Sequence, residues 1–122
     1  MGINPLLNSV EVYSSTNAGT GTITLGAAIG NNAFTMAQAG AVDQGYTFRL
    51  DNTNGDFEIV RCTYAGAGPT ITRDTVLASC IAGVAGTTKI SVVTTTTCRV
   101  VAAGEDMITR QQALSRGWLV GG

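Results

Sequence analysis

Four carboxylates, Asp43, Asp51, Asp56 and Glu58, fall within sixteen residues of one another. Such a group could bind a divalent cation or supply a carboxylate pair for acid/base work. Asp51-Asn-Thr-Asn-Gly55 begins somewhat like a calcium loop, but no Glu stands at its twelfth position. Asp and Asn are ordinary turn residues, so solvated turn and edge positions explain the group better. The chain has no His, which removes Ser-His-Asp and Cys-His catalysis and most zinc sites. Gly19-Thr-Gly21 and Gly66-Ala-Gly68 lack phosphate-loop spacing and read as turns. No nucleophile, base and orienter can be assembled. The expectation is a protein that is not an enzyme and holds no cofactor or metal.

Cys62, Cys80 and Cys98 stand eighteen residues apart, with no Cys-x-x-Cys pair to suggest a metal site. Two readings stay open. They are buried small hydrophobes, or some of them form a disulfide. With three cysteines one is left over, and in an oxidising setting an odd thiol points to a bond with another chain.

The elements that must position these groups are strands. Thr, Val, Gly and Ala dominate, and Thr and Val suit a pleated sheet. Tyr46, Phe48 and Leu50 sit at period two, as do Phe57 and Ile59, and Asn54-Gly55 between them supplies hairpin turn chemistry. Val10 and Val12, and Ile23 and Leu25, alternate in the same way. Gly68-Pro69 turns the chain into a strand from Thr70 to Leu77, where Arg73 can pair across the strands or make an intersubunit contact. Ser79 to Gly86 reads as a loop. Lys89 to Val93 and Cys98 to Val101 read as the last strands. Asn31 to Gln44 is either a strand or an irregular crossing. The expected fold is all-β: a small antiparallel β-sandwich or barrel of about seven to eight strands. A short C-terminal helix follows over Glu105 to Arg116, where acids lead and Arg116 closes.

The chain has 122 residues, enough for one domain. Its expected layout is an N-terminal arm over 1–8, a β-domain over 9–103, and a helix with an apolar tail over 104–122. Hydrophobic residues make up 44% and charged residues 12%, a charged share about half the usual one, which argues against disorder. The seven basic residues are scattered along the chain, so no electrostatic footprint for nucleic acid is read. The first residues lack a positive n-region, and no stretch approaches a membrane span, so neither a signal peptide nor a membrane partner is expected. Ile3, Leu6, Leu7, Trp118, Leu119 and Val120 are apolar yet near the termini. With Arg73, they are the candidate interface residues.

From Val10 to Met107 the chain resembles a β-rich module of tailed-bacteriophage virion proteins, often found at the front of tail fibres. Gly19-Thr-Gly-Thr-Ile-Thr-Leu25 and Phe57-Glu-Ile-Val60 match its strands. The most specific run is Thr63-Tyr-Ala-Gly-Ala-Gly-Pro-Thr-Ile-Thr-Arg-Asp-Thr-Val-Leu-Ala-Ser-Cys80, with Cys80 where the module usually has a second Ser. The resemblance covers about four-fifths of the chain. It implies a virion location, other virion proteins (major capsid, collar or tail) as partners, and a homo-oligomer, with trimers common among fibre-related modules.

Three functions follow as expectations. The first is a head decoration or linking protein that stabilises the particle. The second is a collar, tail or fibre-attachment protein, because the module usually sits there. The third is a carbohydrate-binding β-domain that would stack sugars on Tyr13, Tyr46, Phe48, Tyr64 and Trp118.

Overall fold

The computed structural model describes residues 7, 9–30 and 33–101. Seven strands follow in chain order: β1 Glu11–Ser14, β2 Ile23–Ala28, β3 Gly45–Asp51, β4 Phe57–Ala65, β5 Thr70–Ile81, β6 Val84–Gly86 and β7 Thr97–Val100. The hydrogen-bonded order is β2-β1-β7-β3-β4-β5-β6, and β2 also pairs with β5. That last pairing, Ile23 with Ile71 and Thr24 with Thr70, closes six antiparallel strands into a barrel. β6 is left outside as an extra strand. Of the two expected architectures, the barrel is the one formed.

β7 is inserted between β1 and β3, which are far from it in sequence. Val12 faces Cys98, and Phe48 faces Val100. The β3–β4 hairpin is as expected. Its turn carries Gly55 at φ 98, and Asn54 Oδ1 accepts from the Asp56 amide at 2.9 Å. Tyr46, Phe48 and Leu50 point inward.

β4, however, faces the other way from the Phe57/Ile59 alternation. Leu50 opposes Glu58 and Phe48 opposes Val60, so Glu58, Val60, Cys62 and Tyr64 line the interior. Phe57 and Ile59 lie on the outer face, where the Arg49 guanidinium sits 4.4 Å from the Phe57 ring centroid. The inward parity of β3 and the turn length fix this register together.

β5 carries two irregularities. Ile59 pairs with Ala78 but Val60 with Val76, and Arg61 pairs with Thr75 but Cys62 with Arg73. Leu77 and Asp74 are therefore extra residues. Without the second bulge, Ile71 and Val76 would face opposite sides of the sheet. With it, Ile71, Arg73, Val76 and Ser79 all align with inward partners on β4.

Ser79 to Gly86 is not a loop. β5 runs on to Ile81, turns through Ala82 at φ 52 and Gly83 at φ 81, and returns as β6. Two consecutive positive φ values are what a two-residue hairpin turn demands. The small residues of this stretch concealed it. Lys89 to Val93, in turn, is not a strand. Only Val92 bridges, to Gly19; Ile90 and Ser91 bond to side chains, and Val93 closes a turn with Thr96. Residues 33–44 form an irregular crossing with a turn that buries Met36 and Ala39.

The core joins Val10, Val12, Ile23, Leu25, Met36, Phe48, Leu50, Val60, Ile71, Ile90 and Val92. Leu7, placed above in an N-terminal arm, belongs to it. The expected C-terminal helix and apolar tail lie outside the described residues.

Candidate functional site

The two chemically distinctive places are a buried ion pair inside the barrel and a row of arginines outside it. Inside, Glu58 is 0% and Arg73 4% exposed, and Arg73 Nη1 meets Glu58 Oε1 at 3.0 Å. β4 and β5 place them there because both positions share inward parity. Every N–H of the guanidinium is used. Nη1 also reaches Ile90 O at 3.0 Å, Nη2 reaches Gly19 O at 2.5 Å and Gly21 O at 3.0 Å, and Nε reaches Gly21 O at 3.2 Å. Glu58 Oε1 accepts a second bond, from the Ile90 amide at 2.8 Å. One side chain thus ties the loop after β1 and the segment before β7 to the barrel wall. Of the two roles open to Arg73, the cross-strand pair is the one formed.

A buried pair of this kind is costly to desolvate, and it is tolerated where geometry and hydrogen bonds compensate. Here they do, except at Glu58 Oε2, which is buried without a partner. Sequence reasoning grouped Glu58 with solvated turn acids. The signal that could have found it is its position opposite Leu50 in a hairpin whose β3 parity was evident.

The four carboxylates do not assemble. Asp43 accepts from the Gly66 amide at 2.9 Å and Asp51 binds Arg49 at 3.1 Å. Asp56 accepts from the Ala82 amide at 2.9 Å. Asp43 and Asp56 each tie a distant turn, and Asp51 serves its own strand. Among the described residues, no three His, Cys, Asp or Glu side chains are grouped to hold a metal.

The three cysteines are free. Cys62 and Cys98 are buried on inward positions of β4 and β7, while Cys80 is half-buried on the outer side of β5, opposite Phe57. None is at disulfide distance from another, so no bond within the chain joins them. Burial pushes the Cys98 thiol up to about 12, with Arg73 acting against it. Burial, then the charges of Glu58 and Asp74, push Cys62 higher still. Both thiols stay protonated, unlike reactive cysteines.

Among the described residues, the aromatics considered for sugar stacking do not form a platform. Tyr46, Phe48 and Tyr64 are buried, with Tyr46 and Tyr64 edge-to-face at 6.2 Å, and Tyr13 is the exposed one at 42%. Trp118, Ile3, Leu6, Leu119 and Val120 lie outside the described residues.

On the outer face, strand pairing gathers cations that looked scattered in sequence. Arg49 and Arg99 are directly opposite each other, and Arg61 is diagonal to Arg49 on β4. Asp51 holds Arg49, and Glu11 stands opposite Arg99 on β1. Asp74 lies beyond Arg61, accepting from the Thr63 hydroxyl, so three arginines face three carboxylates on one side of the barrel.

No family model matches the chain, and no curated protein or solved structure is significantly similar to it.

Proposed function

We propose that the chain is a structural component of a tailed-phage virion, acting as a small head decoration or linking protein that stabilises the particle. The observation that carries this reading is the Thr63-to-Cys80 run, the most specific part of the resemblance to virion modules. That run is the last three residues of β4, its turn and nearly all of β5, including Arg73. The residues of the resemblance are thus the ones that lock the barrel. Chemistry-bearing side chains are engaged in structure: Glu58 and Arg73 with each other and with loops, Asp43 and Asp56 with backbone amides. A closed six-strand wall with a filled interior suits a part that must hold its shape under load.

Quantitative mass spectrometry of purified particles tests the proposal. Hundreds of copies per particle support head decoration. A few to some tens would move the protein to the collar, tail or fibre base, where the resembling module usually sits. Absence from particles overturns the virion reading. Partners in this reading are other virion proteins and further copies of the chain.

A further inference from the structure

The β3–β4 turn and the β5–β6 turn touch, and Asp56 joins them. In the first turn, the Asn52 amide donates to Asp56 O at 2.8 Å and the Gly55 amide donates to Asn52 O at 3.1 Å. The Asp56 amide donates to Asn54 Oδ1 at 2.9 Å, and Asn54 Nδ2 lies 3.5 Å from Asp56 Oδ2. The other carboxylate oxygen of Asp56 accepts from the Ala82 amide at 2.9 Å, in the second turn. Asn54 and Gly55 are both exposed. Asn54 is also the one asparagine of the chain that a glycine follows. With no Cβ, Gly55 leaves its own nitrogen unhindered. That nitrogen is the atom that can close a five-membered ring on the amide carbon of Asn54.

We propose that Asn54 is a self-modification site, converted slowly to aspartate and isoaspartate, and that the Asp56 tie between the two turns sets the rate. The Gly55 nitrogen gives its proton to hydroxide and attacks Asn54 Cγ. The bond from Cγ to the side-chain nitrogen breaks, and ammonia leaves with a proton taken from water. Water then opens the cyclic imide at either carbonyl, one opening leaving aspartate and the other isoaspartate. In the folded chain both reactants are held. The N–H of the nucleophile is bonded to Asn52 O, and the oxygen of the electrophile is bonded to the Asp56 amide. Giving up two hydrogen bonds of ordinary net strength slows the attack roughly tenfold or more. The product acts back on the tie. A carboxylate at position 54 puts a like charge where an amide nitrogen now lies 3.5 Å from Asp56 Oδ2. Isoaspartate also adds a backbone carbon between Asn52 and Asp56, whose hydrogen bond closes the turn. Asp56 then releases the Ala82 amide, and the β5–β6 turn loses its anchor. The inference does not depend on the virion reading.

The test is peptide mapping by mass spectrometry of the full chain, incubated at mildly alkaline pH both folded and in urea. Asn54 should convert ahead of every other asparagine, to both products, and roughly tenfold more slowly folded than in urea. Asp56→Ala should bring the folded rate to within about threefold of the rate in urea. Asp56→Asn keeps an acceptor for the Ala82 amide and should stay close to the native rate. Hydrogen exchange reads the consequence in the unmutated chain. The Ala82 amide should lose protection as the converted fraction grows, while the amides of the β3–β4 pairing keep theirs, and the same amides confirm that Asp56→Ala is folded. Equal rates folded and in urea, another asparagine converting first, or an unchanged rate in Asp56→Ala overturns the proposal. An Ala82 amide that stays protected in the converted protein overturns the link between the turns.

Discussion

β5 has two halves built on opposite plans. Its first part, around Ile71 and Arg73, is hydrogen-bonded to β2 and β4 and carries the buried cation that ties two loops. Its last part, Ser79 to Ile81, pairs with β6 in an uncharged hairpin whose tip extends past the pairing with β4, with Val84 70% exposed. From Thr75 to Thr88 no residue is charged. The contrast teaches that charge in this protein does structural work inside, where it is desolvated and saturated, and is omitted from the projecting hairpin. Stability should therefore be concentrated in one half of a single continuous strand.

Breaking the first half should have the largest effect. Arg73→Met leaves Glu58 buried without its cation and three carbonyls without their donor, at a cost of about 3–5 kcal/mol. Urea denaturation measures it, against a total of about 5–15 kcal/mol for a domain. Adding Glu58→Leu should recover part of the loss, because it removes the stranded carboxylate. If the double variant is no more stable than the single one, the pair is not what holds this half.

The interior thiols sharpen the contrast through pH. Cys98 ionises near 9.0 when unfolded and at about 12 when folded, because burial disfavours the thiolate. The unfolded chain then loses its proton first, so stability falls as pH rises through this window. The slope is about 1.4 kcal/mol per pH unit for each such thiol. Denaturation midpoints should drop with pH, and Cys98→Val should flatten the drop. In the native state, a thiol reagent should modify Cys80 well before Cys62 and Cys98.

At the hairpin the effects shrink. Gly83→Ala places a Cβ on a residue at φ 81 and should cost about 1 kcal/mol. Val84→Lys, on the exposed strand, should change stability by no more than about 0.5 kcal/mol. A cost for Val84→Lys comparable to that of Arg73→Met would erase the distinction between the two halves.

Much of the barrel was legible in the residues. The β3–β4 hairpin declared itself because its apolar alternation and Asn54-Gly55 agree. β1, β2 and β7 also lie close to where alternation placed them. β6 was hidden because a hairpin of Ala, Gly and Val offers little contrast between its faces. The interior site was hidden for a different reason. The apolar residues Phe57 and Ile59 suggested the wrong inward face, since Arg49 covers Phe57 from outside. Arg73 and Glu58, fifteen residues apart, become partners only once the bulges set the β4–β5 register. The arginine face was equally invisible, because Arg49 and Arg99 meet across β3 and β7, fifty residues apart in the chain.

The place of β7 has a consequence for how the chain is made. β7 fills the gap between β1 and β3, with Glu11 registered against Arg99. On the ribosome, β1 through β6 emerge before the strand that joins their two free flanks. Until it arrives, both flanks present unpaired amides and carbonyls that any neighbouring nascent chain can meet. Closure therefore depends on contacts between distant residues and belongs to the slow end of folding. A cell that makes many copies at once faces its greatest risk of misassembly in that interval, before the seventh strand is in place.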